Sequence, residues 1–360
     1  MSINSRFHSL VVSDVRRETA EAVSVRFKVP SELRRAFMYK AGQHLTLKVD
    51  IDGDDVRRTY SVCAGEHENE IRIAIKTIQG GLFSNWANSR LKVGQQIEVL
   101  PPMGKFVEPE RRGNLPLYVA LAGGSGITPV LSIIKTVLHA KPEAQVVLLY
   151  GNRDAASIMF LEEIAGLKNK YLDRLAVYHF LEEEEDEFEI FNGRLDRTKC
   201  DAVFSSLIDV AGVDAFFICG PGRMMDAAES SLSARGVSAD RILVERFTSS
   251  ELSAEQIARN EVLTQNAKGT LLSVTLDGRR NRVVFDATRE SVLESLQAAG
   301  LSVPYACKGG VCTTCRAKVT EGTVTMKKNY GLSEAEVADG YVLTCQALPV
   351  SKSVTLSFDI

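Results

Sequence analysis

The chain has no excess of one charge: 43 basic against 46 acidic residues leave −3 over 360 residues. A nucleic-acid binder needs a basic surplus to neutralise phosphates, so that class is excluded. No continuous apolar run lies between Met1 and Asp14, so no secretory signal is visible. One uncharged stretch has membrane length, Gly113 to Ile134, but its middle, Gly123-Gly124-Ser125-Gly126-Ile127-Thr128-Pro129, would break a spanning helix. No repeat of solenoid period is present. The histidines His8, His44, His67, His139 and His179 show neither ligand spacing nor a nucleophile partner, which removes a hydrolytic triad. With 45% apolar and 25% charged residues, this is the composition of a globular chain of two or three domains. We expect a cytoplasmic protein that binds neither membrane nor nucleic acid.

Three textures follow one another. Up to about residue 108, apolar residues alternate with polar ones, as in Val23, Val25, Phe27 and Val29, then Leu45, Leu47, Val49 and Ile51, then Ile71, Ile73 and Ile75. Short alternating strands with turn signals predict an antiparallel barrel or sandwich, with one short helix near Ser84. From about 112 to 247 the strands become largely apolar: Leu117–Leu121, Val146–Tyr150, Leu175–Phe180 and Ala215–Cys219. Helical segments at Pro129–Leu138 and Arg223–Ala234 lie between them, which predicts a doubly wound α/β domain with a parallel sheet. A polar stretch, 248–268, reads as a linker, partly helical around Ser253–Val262. The last zone opens with strands at Leu272–Leu276 and Val283–Phe285 and a helix at Ser291–Ala299.

Cysteine carries the strongest motif. Of seven cysteines, an odd number that fits no secreted disulfide framework, four stand as Cys307-x4-Cys312-x2-Cys315 and, after a 29-residue gap, Cys345. This is the plant-type 2Fe–2S spacing: iron and sulfide want soft anionic thiolates, and Gly309 and Gly310 let the backbone wrap closely. Zinc is the alternative metal, but its usual two C-x2-C pairs are not here.

Other motifs are shorter. Arg58-Thr59-Tyr60-Ser61 closes a barrel strand and offers a flavin an aromatic face, a hydroxyl and a phosphate-matching guanidinium. Gly80-Gly81-Leu82-Phe83-Ser84 puts glycines at a helix start, a second phosphate cradle. Gly123–Pro129 joins a strand to a helix, with Thr128 expected as N-cap and Pro129 as first helical residue. Cys219-Gly220-Pro221-Gly222-Arg223-Met224 ends a later strand. After Val146–Tyr150, Arg153 suits a 2′-phosphate while Asp154 suits a free ribose; Arg153 comes first, so NADPH is expected over NADH, with Ser157 beside it. The acidic run Glu182–Glu189 reads as a solvated loop or a dock for a basic partner.

In this order, these motifs resemble ferredoxin–NADP reductase-like flavoproteins with a C-terminal plant-type ferredoxin, the build of the reductase components of multicomponent oxygenases. Within that family the likeness is to reductase subunits of monooxygenases that epoxidise the ring of phenylacetyl-CoA in phenylacetate degradation. The resemblance implies a multidomain chain: an antiparallel β-barrel flavin domain (1–110), an α/β doubly wound nucleotide domain (111–247), the linker (248–268) and an α+β, β-grasp ferredoxin domain (269–360). It implies that Arg58, Tyr60, Ser61, Gly81, Leu82 and Ser84 hold FAD, with FMN the alternative. Gly124, Gly126, Thr128, Arg153, Ser157, Gly220 and Met224 then hold the nicotinamide nucleotide. Ser61, Cys219 and Glu245 stand at the hydride path, Phe247 closes over the flavin edge, and Cys307, Cys312, Cys315 and Cys345 hold the cluster.

Electron counting makes the order of cofactors intelligible. NADPH gives two electrons as hydride, a cluster takes one, and a flavin does either. The partner implied is an oxygenase or hydroxylase component; a hybrid-cluster protein or a desaturase would be a different soluble acceptor, and a zinc-stabilised non-catalytic module a different class altogether. Residues 269–360 carry ten basic against nine acidic residues, unlike strongly acidic plant ferredoxins, which suits an acidic or mixed partner face. The purified protein should show flavin bands plus broad iron–sulfur absorption, both bleached by NADPH. A spectrum without the iron–sulfur component would sink the cluster assignment.

Overall fold

A computed structural model describes residues 7–109, 116–247 and 254–359. The chain divides into two units, one ending at Glu245 and the other beginning at Arg246.

In the first unit, six strands follow the period-two pattern: β1 (His8–Thr19), β2 (Ala22–Lys28), β3 (His44–Ile51), β4 (Asp54–Ser61), β5 (Ile71–Lys76) and β6 (Gln96–Met103). All pair antiparallel in the order β4-β3-β6-β1-β2-β5. The outer strands meet at one end through a Val62–Ile73 bridge and the Cys63 N–H on the Arg72 carbonyl (2.8 Å), which brings the sheet round towards a barrel. Leu10, Val25, Leu45, Leu47, Ile73 and Ile75 fill its core. Helix α1 (Leu82–Arg90) starts two residues before the expected Ser84.

The rest of this unit is a five-stranded parallel sheet: β7 (Leu117–Gly123), β8 (Gln145–Asn152), β9 (Leu175–Leu181), β10 (Ala215–Cys219) and β11 (Ile242–Glu245). Sequence reading missed β11, four residues too short and too solvent-touched to show an apolar run. The order β11-β10-β7-β8-β9 reverses direction between β7 and β10, where doubly wound sheets bind ligands. Helices α2 (Ile127–Ala140), α3 (Leu161–Lys170), α4 (Arg197–Ser206) and α5 (Gly222–Ala234) cover it. Alternate residues enter two cores: Ala120, Ala122 and Leu148 face one, Val119, Leu121 and Leu149 the other. The expected N-cap is corrected. A 3-10 turn, Gly124–Gly126, already sets helical geometry, so Gly126 is the N-cap and Thr128 lies inside α2, donating to the Ser125 carbonyl (3.0 Å).

In the second unit, α6 (Ala254–Asn266) spans most of the described part of the expected linker; the expected helix start, Ser253, lies outside the described residues. Next come β12 (Leu271–Leu276), β13 (Arg279–Val284), α7 (Val292–Ala298), β14 (Arg316–Glu321), β15 (Val324–Met326), α8 (Glu334–Ala338), β16 (Tyr341–Leu343), β17 (Ala347–Pro349) and β18 (Ser353–Ser357). The mixed sheet β13-β12-β18-β14-β16, with β12 and β18 parallel and α7 packed into its core, is the α+β ferredoxin fold.

One face of α2 is polar, and it docks on the barrel. Ser132, Lys135, Thr136 and His139 are spaced i, i+3, i+4, i+7, one helical face. The Ser132 hydroxyl donates to the Ala64 carbonyl (2.6 Å), and the Thr136 hydroxyl accepts from the Glu66 N–H (3.0 Å). The His139 ring stacks on His67 at 3.9 Å. Lys135, only 4% exposed, pairs with Glu68 (3.1 Å) and with Glu163 of α3. Removing the ammonium would leave two facing carboxylates without a counter-charge. Lys135→Met should therefore cost about 3 kcal/mol in urea unfolding, and adding Glu68→Gln and Glu163→Gln should recover most of it. An unaltered midpoint in the single variant would show that the triad does not join barrel to sheet.

Candidate functional site

The β7/β10 switch point brings two glycine motifs into backbone contact. A Cβ at Gly126 would run into the Cys219 carbonyl, so only glycine lets the two loops close. At Gly220, a Cβ would meet Met224 at 2.6 Å and the Gly123 N at 2.9 Å. At Gly124 (φ +50°) the space is open, with only the Lys76 ammonium of β5 near, at 3.8 Å from a Cβ placed there. The Tyr150 hydroxyl lies 3.1 Å from the Gly124 carbonyl and fixes it from beneath. An open glycine cradle, a helix start and an ammonium fit a nucleotide pyrophosphate.

Beside the switch point, Cys219 and Glu245 are register partners on neighbouring strands and share a sheet face. Burial pushes the Glu245 carboxyl up to about 8, and burial, then Glu245, raises the Cys219 thiol. Cys219 is fully buried, and its thiol form is favoured over the thiolate. Glu245 Oε1 stands 3.7 Å from His44 Nδ1, and His44 is the cross-strand partner of Ser61. The three residues expected at the hydride path are therefore linked through His44. Sequence reading dismissed His44, because the link exists only in the β3/β4 register and in the packing of barrel on sheet.

The flavin motif is laid out along the barrel wall. Tyr60 is a neutral aromatic, its phenol pushed up by burial, and its ring lies 5.4 Å from Phe83 of α1. Arg58 is exposed, donates to the Arg57 carbonyl (2.7 Å) and has no carboxylate partner among the described residues, which leaves donors for a phosphate. Gly81 is the N-cap of α1, and Leu82 is 44% exposed at its start. Ser84 turns inward: its hydroxyl accepts from the Ile78 N–H (3.1 Å), so that cradle rests on backbone N–H groups. An aromatic face, a free guanidinium and a helix start fit a flavin with its phosphates.

At the end of β8, Arg153 meets acids: Asp154 at 2.9 Å, Glu21 at 3.6 Å and Glu183 at 3.9 Å. Ser157 is buried and caps a turn with Asp154. Start residues of the acidic run fold back here, Glu184 accepting from the Ala155 N–H (2.9 Å) and Glu182 pairing with Arg194 (2.7 Å). Phe247 belongs to the second unit and is 36% exposed.

In the second unit the four cysteines form two pairs. Cys307 Sγ accepts N–H groups of Gly309 (3.3 Å) and Cys312 (3.4 Å). Its thiol is held down at about 5 by the Cys312 thiol and by those N–H groups; the Cys315 thiol lowers that of Cys345. Among the described residues no three His, Cys, Asp or Glu side chains converge on one ion. Two thiol pairs set in N–H donors suit two irons of one cluster, each taking two thiolates, better than a single zinc. Lys308 (φ +51°), Gly310 (φ +78°) and Thr313 (φ +55°) bend the loop around them.

Comparison with known proteins gives three family matches: an "Oxidoreductase FAD-binding domain" over residues 9–107, an "Oxidoreductase NAD-binding domain" over 120–230 and a "2Fe-2S iron-sulfur cluster binding domain" over 274–350. The chain is 42% identical to one of the subunits of the 1,2-phenylacetyl-CoA epoxidase of Escherichia coli, over 98% of both chains. It is 34% identical to the ferredoxin reductase component of 3-ketosteroid-9-alpha-monooxygenase of Rhodococcus rhodochrous, over 98% of this chain and 97% of that one. Phthalate dioxygenase reductase shares the fold (TM-score 0.60, 21% identity, 98% of both chains). So does an intact type IV self-sufficient cytochrome P450 monooxygenase (TM-score 0.70, 22% identity), of which this chain, over 97% of its own length, spans 41%.

The buried Glu245 makes stability pH-dependent with a definite sign. A carboxyl whose folded pKa is raised costs nothing below its unfolded value near 4.3. Stability is then lost as pH rises towards about 8. Glu245→Gln should unfold like the parent at pH 4.5 but be more stable at pH 9, by roughly 2–4 kcal/mol. A pH-independent difference in thermal or urea unfolding would refute the protonated state.

Proposed function

This chain belongs to the family of flavin and iron–sulfur oxygenase reductases that has a phenylacetyl-CoA epoxidase component among its members, and from that premise we propose that it carries electrons from NADPH, through FAD and a 2Fe–2S cluster, to the metal centre of the monooxygenase that epoxidises phenylacetyl-CoA. It is an oxidoreductase with flavin, nicotinamide-nucleotide and 2Fe–2S domains, the reductase component of a multicomponent oxygenase system. No helix among the described residues is long and apolar enough to cross a membrane, and we place its work in the cytoplasm.

The observation that carries the reading is the meeting of the switch-point loops with the barrel. Cys219 and Glu245 end adjacent strands, and Glu245 reaches His44 beside Ser61. The switch-point loops would hold a nicotinamide nucleotide, and the barrel strand that ends at Ser61 would hold a flavin. When bound, the flavin accepts hydride and releases electrons singly. The chain's own residues position and insulate. Gly124, Gly126 and the start of α2, with Lys76, bind the pyrophosphate, while Thr128, Gly220 and Met224 shape the loop contact. Arg58, Gly81, Leu82 and the α1 start take the flavin phosphates; Ser84 braces that turn. Tyr60 stacks, Ser61 donates to the ring edge, and neutral Cys219 keeps the hydride path dry. Glu245 holds a proton at its carboxyl at neutral pH. Cys307, Cys312, Cys315 and Cys345 hold the cluster.

For the donor, Arg153 is the cation at the end of β8, and Ser157 and Asp154 shape the turn that presents it, which supports NADPH. NADH is the second reading, favoured by the three carboxylates around Arg153. The test is multiple-turnover epoxidation of phenylacetyl-CoA by the matching oxygenase component with this protein as sole reductase. Turnover with NADPH is expected, and Arg153→Ala should cut kcat/KM for NADPH at least tenfold while sparing NADH. Reduction of artificial acceptors without epoxidation would overturn the proposed partner. Equal loss with both nucleotides would overturn Arg153 as the 2′-phosphate anchor.

A further inference from the structure

Residue 346, directly after the last cluster cysteine, is a glutamine with 7% of its surface exposed. Its backbone is committed: its N–H donates to the Leu343 carbonyl (2.8 Å), and its carbonyl accepts from the Lys327 N–H (2.9 Å). Its side chain turns into the cluster loop, where Cγ lies 3.1 Å from the place a Gly310 Cβ would take. Nε2 stands 2.7 Å from the Lys308 carbonyl and 3.7 Å from Cys345 Sγ. A carbonyl accepts and cannot donate, so the amide must present its NH2 end here and not its oxygen. That group has two protons and two acceptors in reach, one on the Cys307–Cys312 loop and one a cluster sulfur.

We propose that Gln346 tunes the cluster potential: one amide proton pins the loop through Lys308 and the other is given to the Cys345 sulfur. This rests on the reading of Cys307, Cys312, Cys315 and Cys345 as the cluster ligands. Reduction adds negative charge that spreads onto the sulfurs, so a donor at Cys345 stabilises the reduced form more than the oxidised one and raises the potential. The backbone N–H groups of Gly309 and Cys312 serve Cys307 and are insensitive to side-chain changes. Gln346 is the lever at the other pair, Cys315 and Cys345. A higher potential favours electron arrival at the cluster, so the amide acts on the transfer without touching nucleotide or flavin residues.

The experiment is a redox titration of the full-length protein followed by visible absorption and EPR, for the parent, Gln346→Leu and Gln346→Glu. In Gln346→Leu, the reduced-to-oxidised ratio of the cluster at a fixed potential should fall about tenfold, a 59 mV drop for one electron. Gln346→Glu should fall further, because a carboxylate adds charge and offers the sulfur no proton. Flavin midpoints and NADPH reduction of the flavin should stay as in the parent. An unmoved cluster midpoint at full iron content would overturn the proposal and leave Gln346 a structural tie. Should either variant lose its cluster, the parent still decides: with 15N in glutamine side-chain amides, the reduced cluster should show a 15N hyperfine coupling, and its absence overturns the proposal. Absence of iron and sulfide from the parent would instead defeat the cluster reading itself.

Discussion

Everything in the first unit turns on how closely two backbone segments approach at the β7/β10 switch point. Gly126 and Gly220 have no Cβ, so the start of α2 can rest against the Cys219 strand end. That contact aligns a helix N-terminus, an open cradle at Gly124 and the strand end that carries Cys219. A single methyl at Gly126 would need the Cys219 carbonyl to move, and with it the β10 end and its partner Glu245. Close packing makes such a shift costly, because few neighbours have space to give.

A second constraint couples this switch point to the barrel. The polar face of α2 does not face water but the turn after β4, with Lys135 shared between Glu68 of the barrel and Glu163 of α3. Because α2 begins at the glycine cradle, a hold on its middle also holds the cradle against the strand that ends in Ser61. The charge pattern around the site follows the same economy of burial. Half-buried Glu245 and buried Cys219 have their neutral forms favoured, whereas the exposed end of β8 gathers Arg153 with its acids at the surface, where water screens them.

Much of this was legible in the residue order. Period-two alternation gave the barrel strands, apolar strands between helices gave the parallel sheet, and Cys307-x4-Cys312-x2-Cys315 with Cys345 pointed to the 2Fe–2S domain. Shorter elements were not legible: β11 has four residues, and no periodicity can develop in four. Thr128 looked like an N-cap because Thr-Pro is a helix-start signal, but the 3-10 turn of Gly124–Gly126 had already begun the helix. The Ser84 and Ser157 hydroxyls also make hydrogen bonds inside their own turns, which no pattern along the chain announces.

The sequence by itself determined which chemistry the chain can hold, because thiolate spacing, glycine cradles and an aromatic–hydroxyl pair are local and lie within a few residues of each other. It also determined the order of the domains, since each announces itself by its own period. Only the tertiary structure decided which residues act together. His44 joins Ser61 to Glu245 through strand register and domain packing, Lys76 reaches Gly124 from another domain, and Gln346 closes on Lys308 across 38 residues. Such contacts depend on long-range closure, and no spacing rule along the chain encodes them.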